Sequence, residues 1–261
     1  MTGRSCGLGV VIDPSVYDGL PASFVAWYRD TFTGTRMVYG HWSGGVYTRA
    51  VGSYHRQVAV LRPTDLDEML ERCIDARARR VGGAISSMLA QLDEMKAEAK
   101  LQVFENAPWD RDLADHTRGR ETGSVAIALM CGRGARPNDL GLAAPLRAQL
   151  RALVGLVAEA CDALRTPVER FMTHSEAADN LDFPTFDDPD APTPPYGFRT
   201  TREACDLEAW IDVVTEALSP PLVAPRPGLL RLAEWVRAKA LHALAERTRS
   251  EWDKNATTTR F

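Results

Sequence analysis

The chain has 261 residues, of which 45% are hydrophobic and 25% are charged, and its formal net charge at pH 7 is −4. This length suits one sizeable hydrophobic core, or one domain with appendages, and the composition is ordinary for a globular protein. The charge excludes a strong electrostatic footprint for nucleic acid, and it predicts no strong attraction to anionic membranes or acidic polymers.

Cysteine usage and the N-terminal stretch bear on the cellular compartment. The five cysteines are scattered and odd in number, which argues against a disulfide framework and favours a reducing compartment. Residues 7–12 predict a strand and not a signal peptide, because Asp13 and Pro14 interrupt the short apolar run. No apolar run is long enough to span a bilayer. We therefore expect a protein made in the cytoplasm without a signal peptide.

The first elements along the chain are a helix and a strand. Residues 21–32 predict a helix with aromatic side chains on one face. Residues 35–39 predict a strand that delivers His41 into a glycine-containing loop, where a tight turn and a close approach to the backbone are possible. The competing interpretation is that His41 and Trp42 are an aromatic strand end packed into the core. The glycines concerned are Gly40, Gly44 and Gly45.

Residues 53–61 predict the next strand, with Tyr54 and His55 on opposite faces. Residues 64–100 then predict a helical insertion or helix pair, because apolar residues recur at helical spacing on either side of Gly82-Gly83. The apolar stripe of this insertion predicts core packing or a surface for a partner helix. Self-association, or a lid over a cleft, is the competing interpretation.

The start of the insertion carries its own signal. Thr64 and Asp67 stand three residues apart just before the first apolar residues, which predicts a capping box at the helix N-terminus.

The second half of the chain alternates strands and helices. Residues 101–104 and 168–172 predict strands, and the apolar run over residues 123–131 predicts a central strand of the sheet. Residues 145–164 predict an amphipathic helix that ends before Pro167.

The last elements complete a domain and add an appendage. Residues 207–218 predict the last helix of a domain that spans residues 1–218. Residues 219–261 predict a Pro-rich linker followed by a final helix over residues 229–252. The predicted fold class is therefore α/β, with a mixed central β-sheet flanked by helices, a helical insertion and a C-terminal helix.

Metal-ligating side chains occur at three places along this order. His41 and His174 each follow a predicted strand, and Cys205 and Asp206 stand at the start of a predicted helix. Two imidazoles and one carboxylate or thiolate are the ligand set of a catalytic zinc site, whose fourth position is left to water. The spacing matches none of the compact metal-binding signatures.

Five short motifs carry a family resemblance. They are HWSGG (41–45), SYH (53–55), DHTRGRETGSVAIALMCG (115–132), THSEAA (173–178) and CDLEAW (205–210). Their order resembles that of the type 2 family of zinc-dependent N-acetylmuramoyl-L-alanine amidases, over most of residues 36–212 with interruptions. The resemblance implies an enzyme that hydrolyses the bond between N-acetylmuramic acid and L-alanine in peptidoglycan. It implies a Zn²⁺ cofactor and a muropeptide substrate.

The resemblance also implies roles for individual residues. His41, His174 and Asp206 would be the zinc ligands, since Leu207 and Trp210 fit the aspartate-type ending of the family, with Cys205 as the alternative third ligand. Tyr54 would approach the metal-bound water. Apart from the resemblance, the position of Glu176 after His174 suits either a cap for the following helix or an acceptor that holds a ligand histidine in the required tautomer. The implied substrate-groove residues are Trp42, His116, Thr117 and Arg202.

Two positions depart from the family pattern. Many type 2 amidases carry a catalytic glutamate on the central strand where this chain has Ala128. One branch of the family also lacks that glutamate and relies on a tyrosine elsewhere, which again indicates Tyr54. The family also often places a cation two residues before the third ligand, where this chain has Ala204. Arg202 or Arg199 would have to supply that charge.

Three function classes remain open on the sequence. The first is the peptidoglycan amidase, acting on the cell wall after lysis or by dedicated export, as in phages or prophages. The second is a non-catalytic peptidoglycan-binding module. The third is a phage or prophage structural protein that reuses the fold and makes partner contacts through residues 64–100.

Overall fold

The computed structural model describes residues 17–50, 54–79, 85–113, 123–133, 141–173 and 231–258. Within them the chain forms a five-stranded mixed sheet. Its strands are β1 (Met37–Trp42), β2 (Arg56–Val60), β3 (Leu101–Glu105), β4 (Ser124–Leu129) and β5 (Phe171–Thr173). They lie in the order β3-β2-β4-β1-β5, with β3 antiparallel to β2 and the other neighbouring pairs parallel. The predicted α/β class with a mixed sheet is confirmed.

The helices of the described part of the chain follow the sequence prediction closely. They are α1 (Ala22–Thr31), α2 (Thr64–Ala78), α3 (Ile85–Glu98), α4 (Arg147–Leu164) and α5 (Arg231–Thr258). The predicted helix pair over residues 64–100 is confirmed as α2 and α3. The predicted central strand is confirmed as β4, which has a paired neighbour on each side and is buried throughout.

The two faces of the sheet are packed differently. Because side chains alternate along a strand, each strand divides its residues between the faces. One face enters a large hydrophobic cluster with residues from all the described helices, for example Val38, Ile127 and Val58. Each large apolar side chain buried there contributes about 1.5–3 kcal/mol by leaving water.

The opposite face carries two small clusters. One consists of Met37, Tyr39 and Met172, and the other of Ala59, Ala128 and Met130. None of the described helices contributes a residue to either cluster. We call this side of the sheet the His41 face, because strand alternation puts His41 on it with Met37 and Tyr39.

The C-terminal helix belongs to the large cluster although it lies outside the family resemblance. Val236, Leu241 and Leu244 of α5 are fully buried in that cluster. Arg237 is also buried, and its Nη1 donates a 2.8 Å hydrogen bond to the carbonyl oxygen of Phe171 in β5. These contacts hold α5 against the edge of the sheet at β5.

The apolar stripe of the helix pair packs into the core of the same chain. Leu66, Met69 and Leu70 of α2 and Leu92 of α3 are buried in the large cluster. The core interpretation of this stripe is therefore confirmed, and its buried residues do not form a surface for self-association.

The predicted capping box of α2 is wrong. The N-cap is Pro63, and no side chain caps the helix. The Asp67 carboxylate instead accepts hydrogen bonds from the Tyr47 backbone N–H, at 3.1 Å, and from the Thr48 hydroxyl. A long-range partner outcompetes the local one because the loop after β1 crosses the start of α2.

Several strand boundaries also differ from the prediction, and β2 begins at Arg56 and not at residue 53. His41 lies inside β1 and not in a loop after it, because β1 continues to Trp42. Of the predicted strand over residues 168–172, Val168–Arg170 form a 3₁₀ turn, and β5 begins only at Phe171. The predicted strand over residues 7–12 lies outside the described residues.

A tyrosine–glutamate network holds that 3₁₀ turn in place. The hydroxyl groups of Tyr17 and Tyr28 both donate to the Glu169 carboxylate, the second at 2.6 Å. The Tyr28 oxygen also accepts the Val168 N–H at 2.6 Å. Burial and the adjacent carboxylate raise the pKa of Tyr17 to about 12, so this hydroxyl stays protonated at neutral pH.

Candidate functional site

His41 lies near the carboxyl end of β1, between two parallel neighbours. Its Cα partner is Ala128 in β4, and the preceding residue, Gly40, pairs with Thr173 in β5. His41 is 4% exposed. In open α/β sheets, ligands bind at the carboxyl ends of the strands, so His41 stands at the edge of the sheet where a site is expected.

Two tyrosines flank the imidazole on the His41 face. The Tyr39 ring lies 6.4 Å from the His41 ring in an edge-on arrangement, and the Tyr54 ring lies 5.4 Å from it at an interplanar angle of 48°. Tyr54 also packs against the cluster of Ala59, Ala128 and Met130. The structure therefore brings together two residues that the sequence assigned to one site, His41 and Tyr54.

The backbone of Tyr54 is held by side-chain hydrogen bonds. The Asn106 Nδ2 donates to the Tyr54 carbonyl oxygen at 2.9 Å, and Arg49 Nη2 donates to the Asn106 Oδ1 at 2.8 Å. These bonds tie the Tyr54 backbone to the end of β3, which limits movement of the Tyr54 ring relative to His41.

His55 is a structural histidine. Its Nδ1 accepts the backbone N–H of Ala126 at 3.1 Å, so its Nε2 carries the proton and donates to the Arg111 carbonyl oxygen at 2.6 Å. The ring stacks on Trp109 of the large cluster, with centroids 6.1 Å apart. Burial lowers the pKa of His55 and keeps the ring neutral. Tyr54 and His55 thus face opposite sides of the sheet as predicted, but both precede β2, which begins at Arg56 and not at residue 53.

Hydrogen bonds connect the loop after β1 to the end of β4. Ser43 N–H donates to the Leu129 carbonyl oxygen at 2.9 Å, and the Cys131 N–H donates to Ser43 Oγ at 3.2 Å. Gly44 has φ of 70°, and a turn with this geometry favours glycine. These bonds fix the chain immediately after His41, which limits movement of the imidazole.

Trp42 and Gly40 both face the large hydrophobic cluster. Trp42 is 7% exposed in the large cluster, on the side of β1 opposite to His41. The structure therefore places Trp42 away from the His41 face and not in a groove beside it. A Cβ on Gly40 would lie 2.9 Å from Cζ of Phe171, so this glycine makes room for a core ring and not for a ligand.

Ala128 and Gln57 are in register with His41 on the neighbouring strands of the sheet. Ala128 pairs with His41 on one side and with Gln57 of β2 on the other. Gln57 is 1% exposed, and within the described chain its Oε1 is buried without a hydrogen-bond partner. The sequence reasoning missed Gln57, although a carboxamide beside Val58 and Ala59 in a buried strand is a visible signal.

The remaining site predictions fall outside the described residues. These are the ligands His174 and Asp206 with the alternative Cys205, and the residues Glu176, His116, Thr117 and Arg202. Among the residues that the structure does describe, no group of three His, Cys, Asp or Glu side chains could hold a metal ion. A zinc site at His41 therefore requires donors from beyond the described ranges.

Comparison of the chain with protein-family models, with curated proteins and with solved structures gives no match. In the described ranges, no helix combines the length and apolar character needed to cross a membrane.

Proposed function

We propose that the chain is a zinc-dependent amidase that hydrolyses the N-acetylmuramoyl-L-alanine bond of peptidoglycan. The observation that carries this proposal is the pairing of His41 with Tyr54, whose rings lie 5.4 Å apart. They meet near the carboxyl end of β1, on the face of the sheet opposite the described helices. A metal-ligating imidazole and a tyrosine hydroxyl at such an edge suit metal-assisted hydrolysis.

In this proposal His41, His174 and Asp206 hold the zinc ion. Thr173, the last residue of β5, pairs with Gly40, and His174 follows Thr173 in the sequence. Met172 belongs to the cluster on the His41 face, and His174 has the same parity along the chain. The second imidazole in this proposal therefore comes from the residue that directly follows the strand beside β1. Asp206, or Cys205 in the alternative, completes a set of three protein ligands.

The chemistry divides between the metal and the chain. Zinc held by His41, His174 and Asp206 would lower the pKa of a bound water and would polarise the carbonyl of the scissile amide. The Tyr54 hydroxyl donates a hydrogen bond to the oxygen on which negative charge develops, a contact that strengthens in the transition state. Ala128 supplies no acid or base at the position where many relatives of the proposed family carry glutamate.

Digestion of purified peptidoglycan, with mass analysis of the products, tests the proposal. The expected products are free stem peptides that begin with L-alanine, together with intact glycan strands. We expect the wild-type protein to hold one zinc ion per chain and the His41→Ala variant to lose both zinc and hydrolysis, since two ligands rarely hold zinc tightly at a catalytic site. His242→Ala is the matched control, because His242 lies on α5 and outside the His41 face. Wild-type protein that releases no peptide contradicts the proposal.

A non-catalytic peptidoglycan-binding module is the second candidate. Ala128 favours it, because a buried alanine stands beside His41 where a catalytic carboxylate would otherwise be placed. The same experiment separates the two candidates. Binding to peptidoglycan without release of stem peptides, in protein with or without zinc, supports the module.

A further inference from the structure

The side chain of Gln57 is polar and buried, and Gln57 is in register with His41 across the sheet. It is 1% exposed, and Oε1 has no hydrogen-bond partner in the described structure. Buried polar groups in folded proteins nearly always have a partner, so an exception calls for a specific explanation. One explanation is a donor that arrives with a ligand.

The position of Gln57 in the sheet directs it to the proposed site. Ala59, two residues further along β2, belongs to the cluster with Ala128 and Met130. Strand alternation therefore puts Gln57 on the same face. Gln57 pairs with Ala128, which in turn pairs with His41. The three residues form a row across β2, β4 and β1.

The row has a small residue between two polar ones. Neighbouring strands lie about 4.8 Å apart, so the Cα atoms of Gln57 and His41 are separated by about 10 Å. That distance is too long for both side chains to act on one atom, and it suits contact with two parts of one ligand. Tyr54, which packs against the Ala128 cluster, lies beside this row.

We propose that Gln57 is a substrate-binding residue whose Oε1 accepts a hydrogen bond from an amide N–H of the stem peptide. This inference rests on the proposed amidase function and names the part of the substrate that β2 recognises. An acceptor two strands away from His41 selects a ligand that continues past the scissile bond as a peptide. The amide N–H supplies the donor that the described part of the chain does not give to this buried oxygen.

The kinetic constants of Gln57→Met and Gln57→Glu with a soluble muropeptide test this assignment. Methionine has a similar length and no acceptor oxygen, so we expect KM to rise about tenfold with kcat within about twofold, as for loss of one neutral hydrogen bond made equally in the ground and transition states. Glutamate keeps an acceptor oxygen in either protonation state, so we expect its KM to stay within about threefold of the wild-type value. Zinc content should be unchanged in both variants.

Thermal unfolding of the zinc-loaded, substrate-free proteins supplies the readout that separates binding from structure. Removal of a buried acceptor without a partner should leave Tm unchanged or raised in Gln57→Met. Gln102→Met is the control, since Gln102 is exposed on β3, and it should leave both KM and Tm unchanged.

Each contrary result has a distinct meaning. If the wild type is active and Gln57→Met lowers Tm while KM stays at the wild-type value, the donor is part of the protein and this inference is overturned alone. If Gln57→Met does not fold, a tenfold rise in KM for Gln57→Glu overturns it. If the wild type releases no peptide, the proposed function fails and the inference fails with it.

Discussion

The ring of Tyr54 lies 5.4 Å from the ring of His41, and the two planes are inclined by 48°. Tyr54 precedes β2, whereas His41 is the second-last residue of β1, and β4 lies between these strands. The tyrosine reaches His41 across β4 because Ala128, the β4 partner of His41, has a small side chain. A glutamate at this position would compete with Tyr54 for the same space. The small Ala128 side chain is therefore required for Tyr54 to contact His41.

Tyr54→Phe is expected to lower kcat on soluble muropeptide by about 100-fold or more, with KM changed by less than about threefold. A hydroxyl that donates mainly to the developing oxyanion shows this kinetic pattern. Steady-state kinetics with mass detection of the released peptide measure both constants. Tyr47→Phe is the control, because the Tyr47 hydroxyl donates to the Ala144 carbonyl oxygen at 2.7 Å within the scaffold. Tyr47→Phe should lower Tm and leave kcat unchanged. Equal kcat values for the Tyr54 variant and the wild type would mean that Tyr54 only packs against its neighbours.

The third zinc ligand is expected to be Asp206 and not Cys205. An aspartate there also suits the N-cap of the helix predicted over residues 207–218. Cobalt substitution distinguishes the two, since cobalt bound to thiolate gives an intense charge-transfer band in the near ultraviolet. We expect no such band in the wild type and loss of metal in Asp206→Ala. A strong band that disappears in Cys205→Ser would mean that the Cys205 thiolate is the third ligand.

Stability is expected to fall as the pH drops below about 6.5, the value at which histidine titrates in an unfolded chain. Burial lowers the pKa of His55, and burial also lowers the pKa of His242, next to Lys239. The unfolded chain therefore takes up protons at a higher pH than the folded protein does. Stability is fully present above about pH 6.5 and is lost as the pH falls through the lower folded values.

Thermal unfolding at about pH 7.5 and about pH 5.5 measures this dependence. His55→Gln should lower Tm at the higher pH, because the bonds to Ala126 and Arg111 are disturbed. The same variant should show a smaller difference between the two pH values than the wild type. His242→Gln isolates the second contribution. A difference of wild-type size in both variants would mean that neither histidine causes it.

Sequence periodicity predicted the elements of this fold because amphipathic patterns are local. The helices α1 to α4 and the central strand β4 could all be predicted in this way. The capping prediction failed because Asp67 meets Tyr47 and Thr48, which are distant in sequence. A propensity for a local hydrogen bond cannot reveal a competing long-range partner.

The candidate site was predictable only in part for the same reason. His41 and Tyr54 could be proposed from short motifs, but the role of Gln57 depends on the register of β2 against β4. That register is set by tertiary packing, and a slip of one residue would turn Gln57 to the opposite face. The direction of Trp42 likewise follows from β1 continuing past His41, so that strand alternation turns the indole into the large cluster.

Gly40→Ala is expected to destabilise the protein by about 1–3 kcal/mol, as overpacking in a core does. The added Cβ would lie 2.9 Å from Cζ and 3.1 Å from Cε2 of Phe171, whose ring is fully buried. Alanine in a strand gains about 0.5–1 kcal/mol over glycine from backbone entropy, which is too little to offset the clash. Phe171 belongs to β5, which pairs with β1 through Gly40 and Thr173, so displacement of the ring disturbs the packing of these two strands. Each kcal/mol corresponds to a fall in Tm of about 2–4 °C for a chain of this size.

Gly155→Ala is the matched control for this substitution, because it makes the same chemical change where there is room. Gly155 lies inside α4, and a Cβ there meets no atom within 4 Å. Alanine is favoured over glycine in a helix interior by about 1 kcal/mol, so Tm should rise. The two variants thus differ in sign for a reason found only in their surroundings. A rise in Tm for Gly40→Ala would show that β1 and β5 are less tightly packed around Phe171 than the structure has them, and it would remove the steric reason for glycine beside His41.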